Sequence, residues 1–141
     1  MRLKGKMERI TIDALERQAR ALGVRVLETD MPSATTCGLY CDQLRTIWLA
    51  DWLNDRQRLC TLCHELIHAR YRDLGCGTQF GRKCERRTRR ETALALIDPR
   101  TYSRAEEIWD GDTWHMAGEL GVTTQVLEDY RLIPAERNTI Q

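Results

Sequence analysis

The chain has 141 residues, 42% of them hydrophobic, with 22 basic against 21 acidic side chains and a net charge of +1. That length suits one domain with a modest core that needs no disulfide support. The near-neutral balance excludes the global field of a nucleic-acid or membrane-surface binder, and with no apolar run near the length of a membrane span and no export signal a cytoplasmic location is expected.

Thr11 is placed to cap a first helix whose apolar stripe is Ile12, Leu15, Ala19 and Leu22, ended by Gly23. Val24–Leu27 reads as a strand, Cys37–Cys41 as a second and Arg45–Leu49 as a third, the last two joined by a polar turn at Asp42 and Gln43. Asn54–Asp73 reads as a helix with an Asn54/Gln57 capping box, a core stripe of Leu59, Leu62 and Leu66, and Gly75 as its stop. A Gly-rich loop from Gly75 to Gly81 leads into a helix from about Lys83 to Ile97, halted by Asp98-Pro99. Ser103 and Glu106 form a capping box for a short helix through Trp109. Two more helices, near Thr113–Leu120 and Thr124–Leu132, precede a polar tail. Helix, small three-stranded sheet, then helices is an α+β arrangement in a single domain: a core over 10–100, C-terminal helices over 101–133 and a tail over 134–141.

His64-Glu65-Leu66-Ile67-His68 lies inside the fifth predicted element, the helix Asn54–Asp73. On a helix, residues four apart share a face, so both imidazoles can reach one ion. Glu65 sits about a quarter-turn round from His64, within reach of a water polarised by that ion. Two neutral nitrogens suit zinc, and the carboxylate can take the water's proton to leave a hydroxide nucleophile. This is the core of a zinc-dependent peptidase. A catalytic zinc takes three protein ligands and one open position. The metzincin extension would need Gly at Tyr71 and His at Leu74, so it is excluded. A carboxylate from the next helix is the alternative, and spacing alone does not choose between Glu85 and Glu91.

Cys60-Thr61-Leu62-Cys63-His64 also spells a c-type haem attachment pattern, which is set aside because that attachment follows export. Cys60, Cys63, Cys76 and Cys84 are spaced more loosely than a zinc ribbon. The cysteines, Cys37 and Cys41 included, read as small buried or half-buried thiols.

His64-Glu65-Leu66-Ile67-His68-Ala69, then Glu85-Arg86-Arg87-Thr88-Arg89, Ala93 and Leu96-Ile97-Asp98-Pro99 with Tyr102, resemble the ImmA/IrrE family of zinc metallopeptidases. Gly38-Leu39-Tyr40 and Ile47-Trp48-Leu49 extend the match to the strands before the active helix, so that it covers most of residues 10–130. The resemblance implies a zincin-like fold, with the small sheet packed on the active-site helix. It also implies Zn2+ held by His64, His68 and Glu85, with Glu65 as general base. The chain departs from the family at Arg89, where an Asp or Asn would orient a zinc-bound histidine. An arginine cannot accept that hydrogen bond, so either another carboxylate, Glu91 or Asp98, serves instead or activity is reduced.

Three further features are weighed. His115 and Tyr71 are candidates to steady a tetrahedral intermediate, although a lone surface histidine more often has no such role. Arg82 to Arg90 holds six basic side chains in nine positions and reads as a solvated helix face. Met116–Val126 resembles a helix-turn-helix, but its second helix would expose Glu128 and Asp129, which repel phosphate, so direct DNA binding is not expected. Members of the resembled family act on helix-turn-helix repressors of phages, mobile elements and stress responses. The expected activity is therefore endopeptidase cleavage of such a repressor. The rival is a regulatory protein that keeps the zinc fold and inactivates its partner by grip alone.

Overall fold

The computed structural model describes residues 9–74 and 79–133. The elements run α1 (Ile12–Ala21), β1 (Arg25–Thr29), β2 (Gly38–Cys41), β3 (Thr46–Ala50), α2 (Asp55–Tyr71), α3 (Gln79–Leu96), α4 (Pro99–Trp109), α5 (Thr113–Leu120) and α6 (Thr124–Arg131). This is the expected α+β order. Thr11 caps α1 by accepting from the Ala14 N–H at 3.1 Å. The Val24 N–H returns to Ala19 O at 2.9 Å across Gly23, whose φ of +73° allows the reversal. That bond ties Val24 to the helix end, so β1 starts one residue later than the apolar run suggests.

The sheet order is β1-β3-β2, with β1 parallel and β2 antiparallel to β3. As the central strand, β3 is almost wholly buried. Strand β2 is left as an edge along α2. Arg45, in the left-handed region at φ 46°, closes the β2–β3 turn and delays β3 to Thr46. Its guanidinium donates to Asp42 (3.1 Å), to Tyr40 Oη, and to the carbonyls of Leu22 (3.0 Å) and Ala69 (3.2 Å) at the ends of α1 and α2. One side chain thus ties the hairpin to two helix C-termini, where a cation is favoured. Arg45→Ala is expected to cost about 2 kcal/mol in chemical denaturation, because charged hydrogen bonds to two helix-end carbonyls are lost.

Two cores meet across α2. Leu15, Ala19, Ile47, Leu49, Leu62 and Leu66 fill the space between α1, the sheet and α2. Ala93, Ile97, Tyr102, Met116, Leu127 and Tyr130 join the C-terminal helices, and Cys60 belongs to this second cluster. The face of α2 opposite the leucines is therefore buried too. The Asn54/Gln57 capping box is formed in both directions, at 2.8 and 2.9 Å.

Three expectations are corrected. Helix α2 ends on Arg72, left-handed at φ 56°, so Gly75 is not its stop; residues 75–78 lie outside the described ones. Helix α3 begins at Gln79, earlier than Lys83, and takes in Gly81. Helix α4 begins at Pro99 with Asp98 as its cap, accepting from the Thr101 N–H at 3.3 Å, so Ser103 is interior. An aspartate followed by proline is both the stop of one helix and the start of the next. The described cysteines are all free thiols, and burial pushes Cys63 up to about 12 and raises Cys60, as inert structural thiols require. Cys76 lies outside the described residues. Among those described, no helix is long and apolar enough to cross a membrane.

Candidate metal centre

The four-residue spacing on α2 puts His64 and His68 one turn apart, with ring centroids 4.9 Å from each other. Helix α3 crosses α2 and brings Glu85 to both. His64 Nε2 is 3.2 Å from Glu85 Oε2, and His68 Nε2 is 3.2 Å from Oε1. One potential ligand atom from each residue lies within 4.8 Å of the others, and among the described residues this is the only such group of three. Ligand atoms on a tetrahedral zinc stand about 3.3 Å apart, because each is about 2.0–2.2 Å from the ion. The separations to Glu85 match that edge, and two imidazoles with one carboxylate are a donor set that fits a divalent metal.

Glu91 is not at this centre. Its Oε2 accepts from the Tyr71 hydroxyl at 2.6 Å. Six residues along α3 is 600° of rotation, which carries Glu91 well away from the face that holds Glu85.

The carboxylate that orients a histidine is neither Glu91 nor Asp98. It is Asp73, just past the end of α2, whose Oδ2 is 2.7 Å from His68 Nδ1. The left-handed Arg72 turns the chain back and makes this contact possible. With Nδ1–H donating to Asp73, the lone pair of Nε2 faces Glu85 and any ion. Thr88 Oγ1, fully buried, lies 3.4 Å from the same Nδ1. Asp73 also pairs with Arg87, which lies 3.8 Å over the Tyr71 ring and so is not part of a purely solvated basic face. Sequence reasoning missed Asp73; a carboxylate immediately beyond the motif helix was the available signal. Asp73→Asn is expected to weaken metal binding about 10–100-fold with little change in fold, measured by competition with a chromophoric chelator.

Burial raises the Glu65 carboxyl, opposed by the two neighbouring imidazoles. Hydrogen bonds from His64 and His68 hold Glu85 well below the usual carboxylate range. Burial alone would lower His68, but Glu85 and Asp73 outweigh it and its pKa is raised from 6.5. In the metal-free protein, stability from His68 is therefore full below 6.5 and lost as pH rises through the folded value. Stability from Glu85 is present above 4.5 and lost as pH falls. Metal-free protein should melt highest between those limits, while the gap between metal-loaded and metal-free melting temperatures should widen with pH, as bound metal replaces a proton.

Two cavities of about 340 and 460 Å³ meet at the centre, sharing Gly38, His64, Glu65 and Glu85. Leu39, Tyr40 and Arg82 line the first, while Cys37, Arg89, Gln125 and Asp129 are among those lining the second. At Gly38 β2 passes close against α2: a Cβ there would stand 2.6 Å from Thr61 Cγ2 and 3.4 Å from Glu65 Cγ. Helix α6 presents Asp129 to the second cavity and buries it to 8% exposure, so Asp129 is not on an outward recognition face; Glu128 is exposed. Helix α6, the second of the helix-turn-helix-like pair, is a wall of the cleft.

Residues 19–132 match the family model described as the IrrE N-terminal-like domain, a peptidase family. The chain belongs to this family. The IrrE-like fold has a structural counterpart in a Mycobacterium tuberculosis transcriptional regulator, with a TM-score of 0.59 and 19% identity over 83% of this chain. The chain spans 39% of that regulator's length. No curated protein matches. Within this IrrE-like domain, His115 and Tyr71 line neither cavity at the metal centre. His115 stacks on Trp109 at 4.5 Å and Tyr71 is committed to Glu91.

Proposed function

We propose that the protein is a zinc endopeptidase that cleaves a transcriptional regulator, with His64, His68 and Glu85 as the metal ligands and Glu65 as the general base. The observation that carries this reading is the convergence of three ligand groups and a buried glutamate at the waist of a cleft open on both sides. Zinc, when bound, supplies Lewis acidity and lowers the pKa of a water.

The chain's own residues supply the rest. Asp73 fixes the His68 ring, and Glu65 accepts the proton of the attacking water and then passes it to the departing amine nitrogen. Strand β2, an unpaired edge beside Glu65, suits an extended peptide added by backbone hydrogen bonds. Room on both sides of the centre favours cutting within a chain over trimming its end.

A helix-turn-helix repressor as substrate is supported by the family resemblance. A non-catalytic regulator that grips the same partner is favoured by Arg89, which departs from the family pattern. The test mixes purified, zinc-loaded protein with the repressor encoded beside its gene and maps fragments by mass spectrometry. Discrete fragments that vanish on chelation and return with zinc are expected. A repressor that stays intact while releasing its operator would establish the gripping mode instead.

A further inference from the structure

A hydrolysed amide gathers negative charge on its carbonyl oxygen, and a donor beside the metal that holds this charge accelerates the reaction. Most donors near the centre are already committed. The Tyr40 hydroxyl donates to Asp42 at 2.6 Å, the Tyr71 hydroxyl donates to Glu91, and Arg87 pairs with Asp73. Arg82 lines the first cavity but makes no ion pair with the triad.

Arg89 differs from all of these. It stands one turn after Glu85, and its Nε reaches Glu85 Oε2 at 3.4 Å. It lines the second cavity together with His64 and Glu65, and half of its side chain is exposed there. Its Nε stands beside Glu85, and a guanidinium has four further N–H donors on its terminal nitrogens. The buried carboxylate of Asp129 lines the same cavity and accepts from Gln125 at 3.0 Å through its Oδ1. Because Asp73 orients His68, position 89 is released from the orienting role that its family counterpart fills.

We propose that Arg89 is a catalytic residue whose terminal N–H groups bind the carbonyl oxygen of the scissile bond. This rests on the peptidase reading. As water loses a proton to Glu65, its oxygen bonds to the carbonyl carbon. The π pair moves onto the carbonyl oxygen, where Arg89 holds it by hydrogen bonds. When the pair returns, the C–N bond breaks and the nitrogen takes the proton from Glu65. Arg89 neither gains nor loses a proton.

The test compares two probes on zinc-loaded protein by calorimetry. One is an N-acetyl phosphinic isostere of Ala-Ala, which presents a tetrahedral oxyanion. The other is mercaptoacetyl-alaninamide, which meets the metal through sulfur and has no such oxygen. Arg89→Met should weaken the phosphinate about 100-fold, the size of one oxyanion donor, while thiol and zinc affinities stay within a few-fold. Arg89→Lys should recover part of that loss. Phosphinate affinity unchanged by Arg89→Met, or phosphinate and thiol falling together, would overturn the assignment while leaving the peptidase reading intact. If zinc-loaded wild type binds neither probe, the peptidase reading itself fails, and this role with it.

Discussion

On the proposed peptidase reading, Glu65→Gln is expected to reduce hydrolysis of the proposed repressor substrate about 10³-fold while leaving metal affinity nearly unchanged. Glutamine keeps the shape of the side chain but cannot accept a proton from water. Glu65 is outside the triad of potential ligands, and its Cγ lies where β2 passes at Gly38, so an isosteric change disturbs neither ligands nor strand. Loss of the carboxylate also removes a buried charge that burial disfavours, so the variant should fold at least as well as the parent. Turnover against the repressor and metal content by atomic emission are the paired measurements. Turnover within threefold of wild type would remove Glu65 from the mechanism. Lost turnover accompanied by lost metal would make it a ligand.

Glu85→Gln should cost more metal affinity than any outer substitution, well beyond the about 10–100-fold expected for Asp73→Asn. The carboxylate stands 3.2 Å from both histidine Nε2 atoms, and it is the anionic member of the set. An amide there offers a neutral and weaker donor. Glu91→Gln is the control, since that side chain is bonded to Tyr71 and should leave metal binding as it was. Chelator competition on the two variants, side by side, settles which glutamate completes the set. Equal losses would mean that α3 can turn either residue to the ion, contrary to the packing of α3 on α2.

The His-Glu-x-x-His half of the centre was legible because its geometry is local. Four residues of one helix place His64 over His68 whatever surrounds them, and the Asn54/Gln57 box that starts the helix is equally local. Thr11 and the Asp98-Pro99 junction were readable for the same reason, although the junction was assigned to a stop alone when it also opens α4. The choice of Glu85 over Glu91 was not legible from spacing, and family resemblance had to supply it. Which face of α3 meets α2 depends on how Thr88, Thr92 and Ala93 bury, and that is a long-range matter.

By itself, then, the sequence determined the helices, the two histidines and the glutamate between them, and the α+β order, since each follows from periodicity and capping within a few residues. The tertiary structure decided the surroundings of the site. It put Asp73 on His68 through a left-handed residue beyond the helix end, and turned Arg87 inward. It also carried Asp129 from what read as an exposed helix face to the wall of the cleft opposite Glu85. The first two contacts join residues 5 and 14 positions apart, and Asp129 reaches the cleft wall only because α6 packs on α3.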